Sequence, residues 1–284
     1  MRKVRTLAIG GALAAVLIGA MVWPALSAPS QLIEVFPGPH ALADALASAH
    51  PGDALELHAG VYPEAVTITT PEIVLEPAGD GPVTIDGGCS QVQTIAVRAD
   101  GVTLEGRMTV TGGRFYDLNY AGVRSGILTG LQLQDGCHGS FGLFMQATGA
   151  VVVASNTITD FAGGGIDLFN ITGAGRLLVS SNRVTGGGYG VVVQSSSARI
   201  DVEQNLLAGN RFGGVQVLGS HGVTVRDNTI KNDGTYGVEL DALSTHDVVT
   251  RNVALGNEFD LANLGSGNCF RQNRFRTSEG QISC

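Results

Sequence analysis

Short apolar stretches recur along the chain at a nearly constant spacing. Six segments carry the same alternation of apolar and polar residues around an asparagine: VVVASNTITD, LLVSSNRVTG, IDVEQNLLAG, VTVRDNTIKN, VVTRNVALGN and CFRQNRFRTS. Most are followed by a second short apolar segment that starts with glycine, such as GIDL, GVVV, GVQV and GVEL. A period near 24 residues, built from short strands and turns without an intervening helix, predicts a parallel β-helix.

The asparagine of each segment is predicted to hold a turn between two strands. In the fourth segment, Val225 and Ile230 fall on the inward face, while Arg226 and Thr229 face outward. Asparagine tolerates a left-handed backbone and hydrogen-bonds nearby peptide groups, which suits this bend. Because one asparagine occurs per coil, we expect the amides to form a ladder along the axis of the rod. Its members are Asn156, Asn182, Asn205, Asn228, Asn252 and Asn273.

The remaining coils and the N-terminal end fit the same frame. VTLEGRMTV and ILTGLQLQD align with it at Gly106 and Leu131, which gives about nine or ten coils and a rod about 45 Å long. Before the first coil, a short amphipathic helix over about residues 39–50 is expected to cover the open core. No linker or composition break occurs within residues 28–284, so a single all-β domain is expected. The apolar face of the helix consists of Ala41, Leu42, Ala45, Leu46 and Ala49.

The first residues have the features of a secretory signal. MRKVRT is basic, residues 7–23 are uncharged and mostly apolar, and PALSA provides small residues for cleavage after Ser27. Residues 1–27 are therefore interpreted as a signal peptide, and the mature protein as secreted or periplasmic without a membrane attachment. An uncleaved membrane anchor is the alternative, because the apolar run is only marginally long enough to span a bilayer.

The charge of the chain restricts its partners. Removing the three basic residues of the signal from the 17 in the chain leaves 14 against 25 acidic residues, a formal charge of −11. An acidic surface argues against nucleic acid as a partner. It also disfavours a polyuronate ligand unless a cation bridges the two.

Several segments resemble the pectin-lyase-like superfamily of secreted right-handed parallel β-helix proteins. They are HPGDALELHAGVYPEAVTI, VTIDGG and the repeated N-x-[ILV] and G-[IV]-x-[LV] patterns, which together extend over nearly all of residues 28–284. The resemblance implies a right-handed solenoid, a monomer and a polysaccharide partner. The superfamily includes pectate lyases, polygalacturonases, pectin methylesterases, alginate epimerases and non-enzymatic periplasmic proteins of the copper-accessory type. These motifs therefore specify the fold and leave the activity open.

Four cysteines would enter an oxidising compartment after secretion. Cys269 and Cys284 lie 15 residues apart at the C-terminal end, where a disulfide would fix a terminus that otherwise frays. Cys89 and Cys137 are 48 residues apart, which corresponds to two coils and to a separation of about 9 to 10 Å within one column. Since bridged Cα atoms lie within about 7 Å of each other, these two pair only if a turn between them bulges.

The motifs of the superfamily's enzymes are incomplete in this chain. The Asp-Pro-His-Asp motif of the epimerases is absent, and His246 with Asp247 is interpreted as part of a turn before a strand. His221, in GSHG, resembles the histidine of polygalacturonases. Without the clustered aspartates that should precede it, His221 is also interpreted as a turn residue.

Aligning the second strands on their glycines predicts a column of outward residues, one per coil. Asp167 and Arg124 of this column, with His138 from a preceding loop, form a predicted catalytic groove, because uronate lyases of the superfamily combine acidic and basic residues. The column itself contains Arg124, Phe144, Asp167, Val192, Gln216, Glu239 and Asp260. The aromatic side chains that could stack on sugar rings in this region are Phe115, Tyr116, Tyr120, Phe141 and Phe144.

The C-terminal part of the column carries a predicted acidic patch. Glu239, Asp241 and Asp260 would lie on two neighbouring coils and could bind calcium or share a proton. The alternative is an ordinary solvated face. Tyr189 and Tyr236 precede the strand glycine at equivalent positions and are interpreted as a structural aromatic stack.

Two functions follow from these features. The first is a secreted enzyme, a polysaccharide lyase, epimerase or hydrolase. The second is a non-catalytic periplasmic or extracellular β-helix that binds a glycan, a metal or a partner protein. The frequency of polysaccharide activity in the superfamily favours the first, while the missing motifs and the acidic charge favour the second. The sequence thus predicts polysaccharide binding or processing without deciding on turnover.

Overall fold

A computed structural model describes residues 30–146 and 148–284. The described residues form 30 strands and one short helix. None of their helical segments is long and apolar enough to cross a membrane. The predicted signal peptide, residues 1–27, lies outside the described part of the chain.

The strands form three parallel sheets around one core, and each full coil contributes one strand to each sheet. Sheet 1 has eleven described strands: β1 (Leu32–Val35), β2 (Ala54–Leu57), β5 (Val74–Pro77), β8 (Val102–Glu105), β11 (Ser125–Thr129), β14 (Ala150–Ala154), β17 (Arg176–Ser180), β20 (Arg199–Glu203), β23 (Val223–Arg226), β26 (Val248–Thr250) and β29 (Cys269–Arg271). Sheet 2 has nine described strands: β3 (Gly60–Tyr62), β6 (Val83–Asp86), β9 (Met108–Thr111), β12 (Gln132–Gln134), β15 (Thr157–Thr159), β18 (Arg183–Thr185), β21 (Leu206–Ala208), β24 (Thr229–Lys231) and β27 (Val253–Leu255). Sheet 3 has ten described strands: β4 (Val66–Ile68), β7 (Gln93–Val97), β10 (Tyr116–Ala121), β13 (Phe141–Gln146), β16 (Gly164–Phe169), β19 (Tyr189–Gln194), β22 (Gly213–Leu218), β25 (Tyr236–Leu240), β28 (Phe259–Asn263) and β30 (Ser278–Gly280). This arrangement is the parallel β-helix that the repeats predict.

The N-terminal end of the core is covered by helix α1 (Ala41–Ser48). Leu42 and Leu46 are buried against the first coil. The carboxylate of Glu64 accepts hydrogen bonds from the N–H groups of Leu42 and Ala43 at 2.9 and 3.0 Å, so the first coil satisfies free donors of the helix N-terminus. The capping helix predicted for about residues 39–50 is confirmed.

The predicted asparagine ladder lies at the corner between sheets 1 and 2. Oδ1 of Asn182 accepts hydrogen bonds from the backbone N–H and from Nδ2 of Asn156, each at 3.0 Å. The same pair of bonds recurs from coil to coil as far as Asn273. The flanking side chains of Val225 and Ile230 are fully buried, as predicted. The ladder satisfies buried backbone donors that a turn would otherwise leave unpaired.

Two further ladders stabilise the other corners, and the repeat pattern alone did not reveal them. Between sheets 2 and 3, Oδ1 of Asp233 accepts the N–H and Nδ2 of Asn210 at 2.7 and 2.8 Å. Between sheets 3 and 1, Oγ of Ser220 accepts the N–H of Ser196 at 3.0 Å. His221 follows Ser220 and is exposed, which supports its interpretation as a turn residue.

The glycine that opens each G-[IV]-x-[LV] segment has a steric role. A Cβ atom at Gly165 would lie 2.2 Å from Cγ1 of Val184, which belongs to the inward face of sheet 2. The two sheets therefore pack closely only where this position has no side chain. The strand register places Asp117 and Asp260 at the equivalent position in two other coils, and both are buried.

Both cysteine pairs form disulfides. The bond between Cys269 and Cys284, with Cα atoms 4.2 Å apart, confirms the predicted link at the C-terminal end. Cys89 and Cys137 are also bonded, with Cα atoms 5.6 Å apart, although two coils would normally separate them by more. The N–H of Cys89 donates to the carbonyl oxygen of Gly112 at 2.8 Å. The turn of the coil between them, residues 112–115, is two residues shorter than the turns 87–92 and 135–140 that carry the cysteines, so the two longer turns bulge and meet beside it.

Candidate functional site

The outward face of sheet 3 carries the candidate site. Its register aligns one outward residue per coil into a row that we call the central column. Residues next to this row in the strands, such as Leu143 and Met145, are fully buried in the core, so the column side chains point outward. The central column consists of Thr67, Ala96, Asn119, Phe144, Asp167, Val192, Gln216, Glu239, Ala262 and Glu279.

Four aromatic rings lie on the N-terminal part of this face. The rings of Tyr116 and Phe144 are stacked with centroids 4.7 Å apart, and those of Phe144 and Phe169 with centroids 6.3 Å apart. Phe115 lies 6.4 Å from Tyr116 and is 41% exposed. We call these four residues the aromatic platform. Phe169 was not among the predicted sugar-binding residues, although its position two residues after Asp167 places it on the outward face.

Asp167 lies within the aromatic platform. It is only 3% exposed, and its Oδ1 accepts a hydrogen bond from Nε2 of Gln194 at 2.8 Å. Burial raises the pKa of Asp167 to about 6, and the hydrogen bond from Gln194 only partly offsets this rise. Burial also raises the pKa of Tyr116, and the charge of Asp167 adds to that effect. The platform thus combines flat apolar surface with one buried carboxylate.

Two of the predicted sugar-binding residues, Tyr120 and Phe141, do not belong to the aromatic platform. Tyr120 is fully buried in the core, so its assignment to the surface is wrong. Its strand position explains this, because it follows the outward residue Asn119 and therefore points inward. Phe141 is partly exposed, but its ring lies against the backbone of Gly163 and Gly164 and covers the edge of the face.

The predicted catalytic groove is not assembled around Asp167. Arg124 lies three residues beyond the end of β10, where its Nε and Nη2 bind Oδ2 of Asp100 at 2.7 and 2.6 Å. The glycine alignment fails in this coil because Asp117 occupies the strand position that glycine takes elsewhere. His138 is exposed in a turn with a left-handed backbone. Among the described residues, neither basic side chain forms a hydrogen bond or ion pair with Asp167.

The basic residue that does meet the central column is Arg98. Its Nη1 donates to the carbonyl oxygen of Asn119 at 3.0 Å and to that of Val97 at 2.9 Å. Burial lowers the pKa of Arg98. Arg98 was missed because it follows β7, in a coil that lacks the repeat motif. Three coils separate its strand from that of Asp167, or about 14 Å.

Asp260 does not join the predicted acidic patch. Ala262 is the residue beside Glu239, because Asp260 occupies the strand position of the glycine. Its carboxylate is buried and accepts Nδ2 of Asn257 at 2.9 Å and the N–H of Arg276 at 2.7 Å. These bonds extend the ladder between sheets 2 and 3 to the last coil.

The other two acids of that patch are also held by protein donors. Oδ1 of Asp241 accepts the N–H of Gly219 at 2.9 Å and the hydroxyl of Ser244 at 2.6 Å, which makes it a turn residue. Oε2 of Glu239 accepts Nε2 of Gln216 at 2.6 Å. Across the described part of the chain, no group of three or more His, Cys, Asp or Glu residues is arranged to hold a metal ion. The predicted calcium set is therefore not brought together.

Tyr189 and Tyr236 pack against phenylalanines rather than against each other, the first tilted and the second stacked. Tyr189 lies 5.3 Å from Phe212, and Tyr236 lies 5.8 Å from Phe259, measured between ring centroids. Gly213 lies between the two tyrosines in the strand register. A second aromatic area therefore occupies the C-terminal part of the same face, close to Glu239.

Comparison with known proteins places this geometry in a family. No curated protein matches the chain. Among solved structures, it is similar to an alginate lyase from Paenibacillus sp. str. FPU-7, with 14% identity over 90% of this chain and 100% of the other and a TM-score of 0.46. A lacto-N-biosidase from Eubacterium ramulus has 12% identity, over 89% and 67% of the two chains, with a TM-score of 0.49. The family model described as "Right handed beta helix region" matches residues 73–230 and confirms the right-handed parallel β-helix.

Proposed function

The chain belongs to the right-handed β-helix family, and we propose that its function is to bind a polysaccharide on the outward face of sheet 3. The aromatic platform around Asp167 is the observation that carries this proposal. Stacked, partly exposed rings on a rigid sheet offer the flat apolar surface that the faces of sugar rings require. A sheet also holds the rings in place without an ordering cost on binding.

The polar groups of the platform support the same function. Carbohydrate sites need a few fixed hydrogen-bonding groups among apolar ones, because these set the orientation of the ligand. Asp167 is held by Gln194 and surrounded by aromatic rings, so its free acceptor positions are oriented for sugar hydroxyls. A carboxylate accepts hydrogen bonds more strongly than a neutral group does.

The spacing of Asp167 and Glu239 argues against these two residues as a hydrolytic pair. Asp167 and Glu239 are both on the central column, three coils apart, which corresponds to about 14 Å. Paired carboxylates of glycoside hydrolases lie about 5 to 10 Å apart. These two residues therefore cannot act on the same glycosidic bond.

A second candidate function is proton transfer on a bound glycan by Asp167. The observation in its favour is the pKa of about 6, which suits a group that exchanges protons near neutral pH. Incubation with a panel of polysaccharides, followed by ultraviolet absorbance of unsaturated products and by reducing-end assay, tests it. Product formation by the native protein that Asp167→Asn abolishes would establish this activity.

We propose that the protein acts outside the cytoplasm. Its two disulfides support an oxidising location, and residues 1–27 would be removed as a signal to leave one domain over residues 28–284. N-terminal sequencing of the exported protein tests the cleavage site after Ser27.

Binding itself is tested by affinity electrophoresis in native gels that contain single polysaccharides. The Tyr116→Ala/Phe144→Ala double variant is expected to lose about tenfold in affinity or more, because two stacking rings are removed. The control is Phe36→Ala, which removes an aromatic side chain that is 62% exposed and lies next to β1 of sheet 1. Equal retention of the native protein and the double variant on every gel would contradict the proposal.

A further inference from the structure

We propose that the same face contains a second carbohydrate subsite, formed by Tyr189, Phe212, Tyr236 and Phe259 around Glu239 and Gln216. Together the two subsites would select an extended, uncharged polysaccharide. This inference rests on the proposed function, because it adds to the face on which the aromatic platform lies. It concerns the C-terminal coils, for which the sequence predicted a metal site and a structural stack.

The second subsite repeats the chemistry of the first. Glu239 is 8% exposed and is held by the amide of Gln216 at 2.6 Å, as Asp167 is held by Gln194 at 2.8 Å. Burial raises the pKa of Glu239, as it does for Asp167. Both carboxylates are outward residues of the central column. A buried carboxylate fixed by a glutamine amide beside aromatic rings thus occurs twice on one face.

The aromatic rings of the second subsite lie on both sides of Gly213, which is buried and lies against the ring of Tyr189. The pairs Tyr189–Phe212 and Tyr236–Phe259 are separated in the register by Gly213, which has no side chain. Phe212 is 37% exposed, and both tyrosines are partly exposed. A sugar ring on this surface would contact the exposed parts of Phe212 and of the two tyrosines.

The distance between the subsites indicates a polymer as the ligand. Asp167 and Glu239 are three coils apart along the axis, or about 14 Å. Only a ligand that extends along the rod contacts both carboxylates at once. Linking two weak sites through one ligand raises the overall affinity by about a hundredfold or more when the spacing matches.

The charge of the face indicates the kind of polymer. The central column contains three carboxylates, Asp167, Glu239 and Glu279, and none of its members within the described strands is basic. The negative charges of Glu258 and Glu279 also reach Tyr236 in the second subsite. Among the described residues, Arg98 hydrogen-bonds to the column only at Asn119, and Arg114 and Arg211 lie over the rings of Phe115 and Phe212, which precede β10 and β22. A polyuronate would therefore meet like charges along the column, whereas neutral sugar hydroxyls can donate to these carboxylates.

The test compares ligand length and ligand charge on the full mature protein. Affinity is measured for a neutral β-glucan, a galactomannan and a xylan, for short oligosaccharides cut from each, and for alginate and polygalacturonate. The variants are Phe212→Ala/Tyr236→Ala and Glu239→Gln, with Phe36→Ala as the control. Circular dichroism and thermal unfolding establish that each variant is folded, and Glu239→Gln preserves the shape of the side chain if the aromatic variant does not fold.

The expected result is a neutral polymer bound about tenfold or more weaker by each second-subsite variant, with unchanged affinity for its short oligosaccharides. If the polymer binds these variants as it binds the native protein, while Tyr116→Ala/Phe144→Ala loses binding, the second subsite is wrong and the proposed function stands. A preference for alginate or polygalacturonate over every neutral polymer would overturn the assigned ligand class. If the native protein binds none of the polymers, both proposals fail.

Discussion

The outward faces of sheets 1 and 3 carry charged residues in different surroundings. In the C-terminal half of sheet 1, Glu203 is buried and forms ion pairs with Arg176 and Arg226. On sheet 3, the buried carboxylates Asp167 and Glu239 are held by glutamine amides instead. A carboxylate that already has its counter-ion stabilises the surface, whereas one fixed only by an amide keeps acceptor positions for a ligand. The two faces therefore differ in the partner of the buried carboxylate, which is an arginine on sheet 1 and a glutamine amide on sheet 3.

The largest expected effect comes from breaking the pairing on sheet 1. Burial raises the pKa of Glu203, and the charges of Arg226 and Arg176 oppose this rise. Arg226→Gln should therefore lower the free energy of unfolding at pH 7 by about 2 kcal/mol, because a buried carboxylate loses a counter-ion. Urea denaturation measures this loss, and polysaccharide binding should not change.

Two control variants test whether the ion pair between Arg226 and Glu203 explains the loss of stability. Arg226→Gln/Glu203→Gln should regain most of the lost stability, since no buried charge remains. Arg199→Gln, which removes a side chain that is 71% exposed, should change the free energy of unfolding by about 0.5 kcal/mol or less. A double variant as unstable as Arg226→Gln would show that the ion pair does not explain the loss.

Asp167 on sheet 3 and Asp227 beside sheet 1 have pKa values that are shifted in opposite directions. The pKa of Asp167 is raised to about 6, so its contribution to stability is complete below the unfolded pKa near 4 and is lost as the pH rises through 6. Asp167→Asn should therefore raise the free energy of unfolding at pH 8 by about 2 kcal/mol and change it little at pH 4. The measurement is urea denaturation across this pH range.

Asp227, next to the ion pairs of sheet 1, provides the matched comparison. A hydrogen bond from Arg251 lowers its pKa, so its contribution is present above the unfolded pKa and is lost on acidification. Asp227→Asn should lower stability at pH 7 and have less effect at pH 3. Stability changes of the same sign for both aspartate variants at pH 8 would contradict the proposed difference between the faces.

The smallest effect concerns a region of sheet 1 where acids lie together. Glu56, Glu76 and Glu105 follow one another in a column of the N-terminal coils, after Glu34. Burial and the charges of Glu105 and Glu56 raise the pKa of Glu76. Glu76→Gln should raise the free energy of unfolding at pH 7 by about 0.5 kcal/mol and have no effect at pH 4. Thermal unfolding at both pH values measures it, and a loss of stability at pH 7 would show that Glu76 has a favourable partner.

The repeats allowed more of the fold than of the site to be predicted. The period near 24 residues, the inward positions of Val225 and Ile230, the asparagine ladder and the Cys269–Cys284 bond all follow from local patterns and agree with the structure. The aromatic platform was predicted in part, because Phe115 and Tyr116 lie in a segment that departs from the repeat and Phe144 lies in the column aligned on the strand glycines. Tyr120 was misassigned because neither the ends of β10 nor its inward face could be located without a strand glycine.

The sequence by itself determined that the chain forms a parallel β-helix and which face of most strands is inward, because alternating apolar positions and turn residues at a fixed period suffice for both. Only the tertiary structure decided which outward residues share a column. Register between coils depends on what fits at each corner, and two coils have aspartate where the alignment needs glycine. That difference separated Arg124 and Asp260 from the acids they were expected to join. The tertiary structure also showed that Asp167 and Glu239, on the outward face of sheet 3, are each held by a glutamine amide.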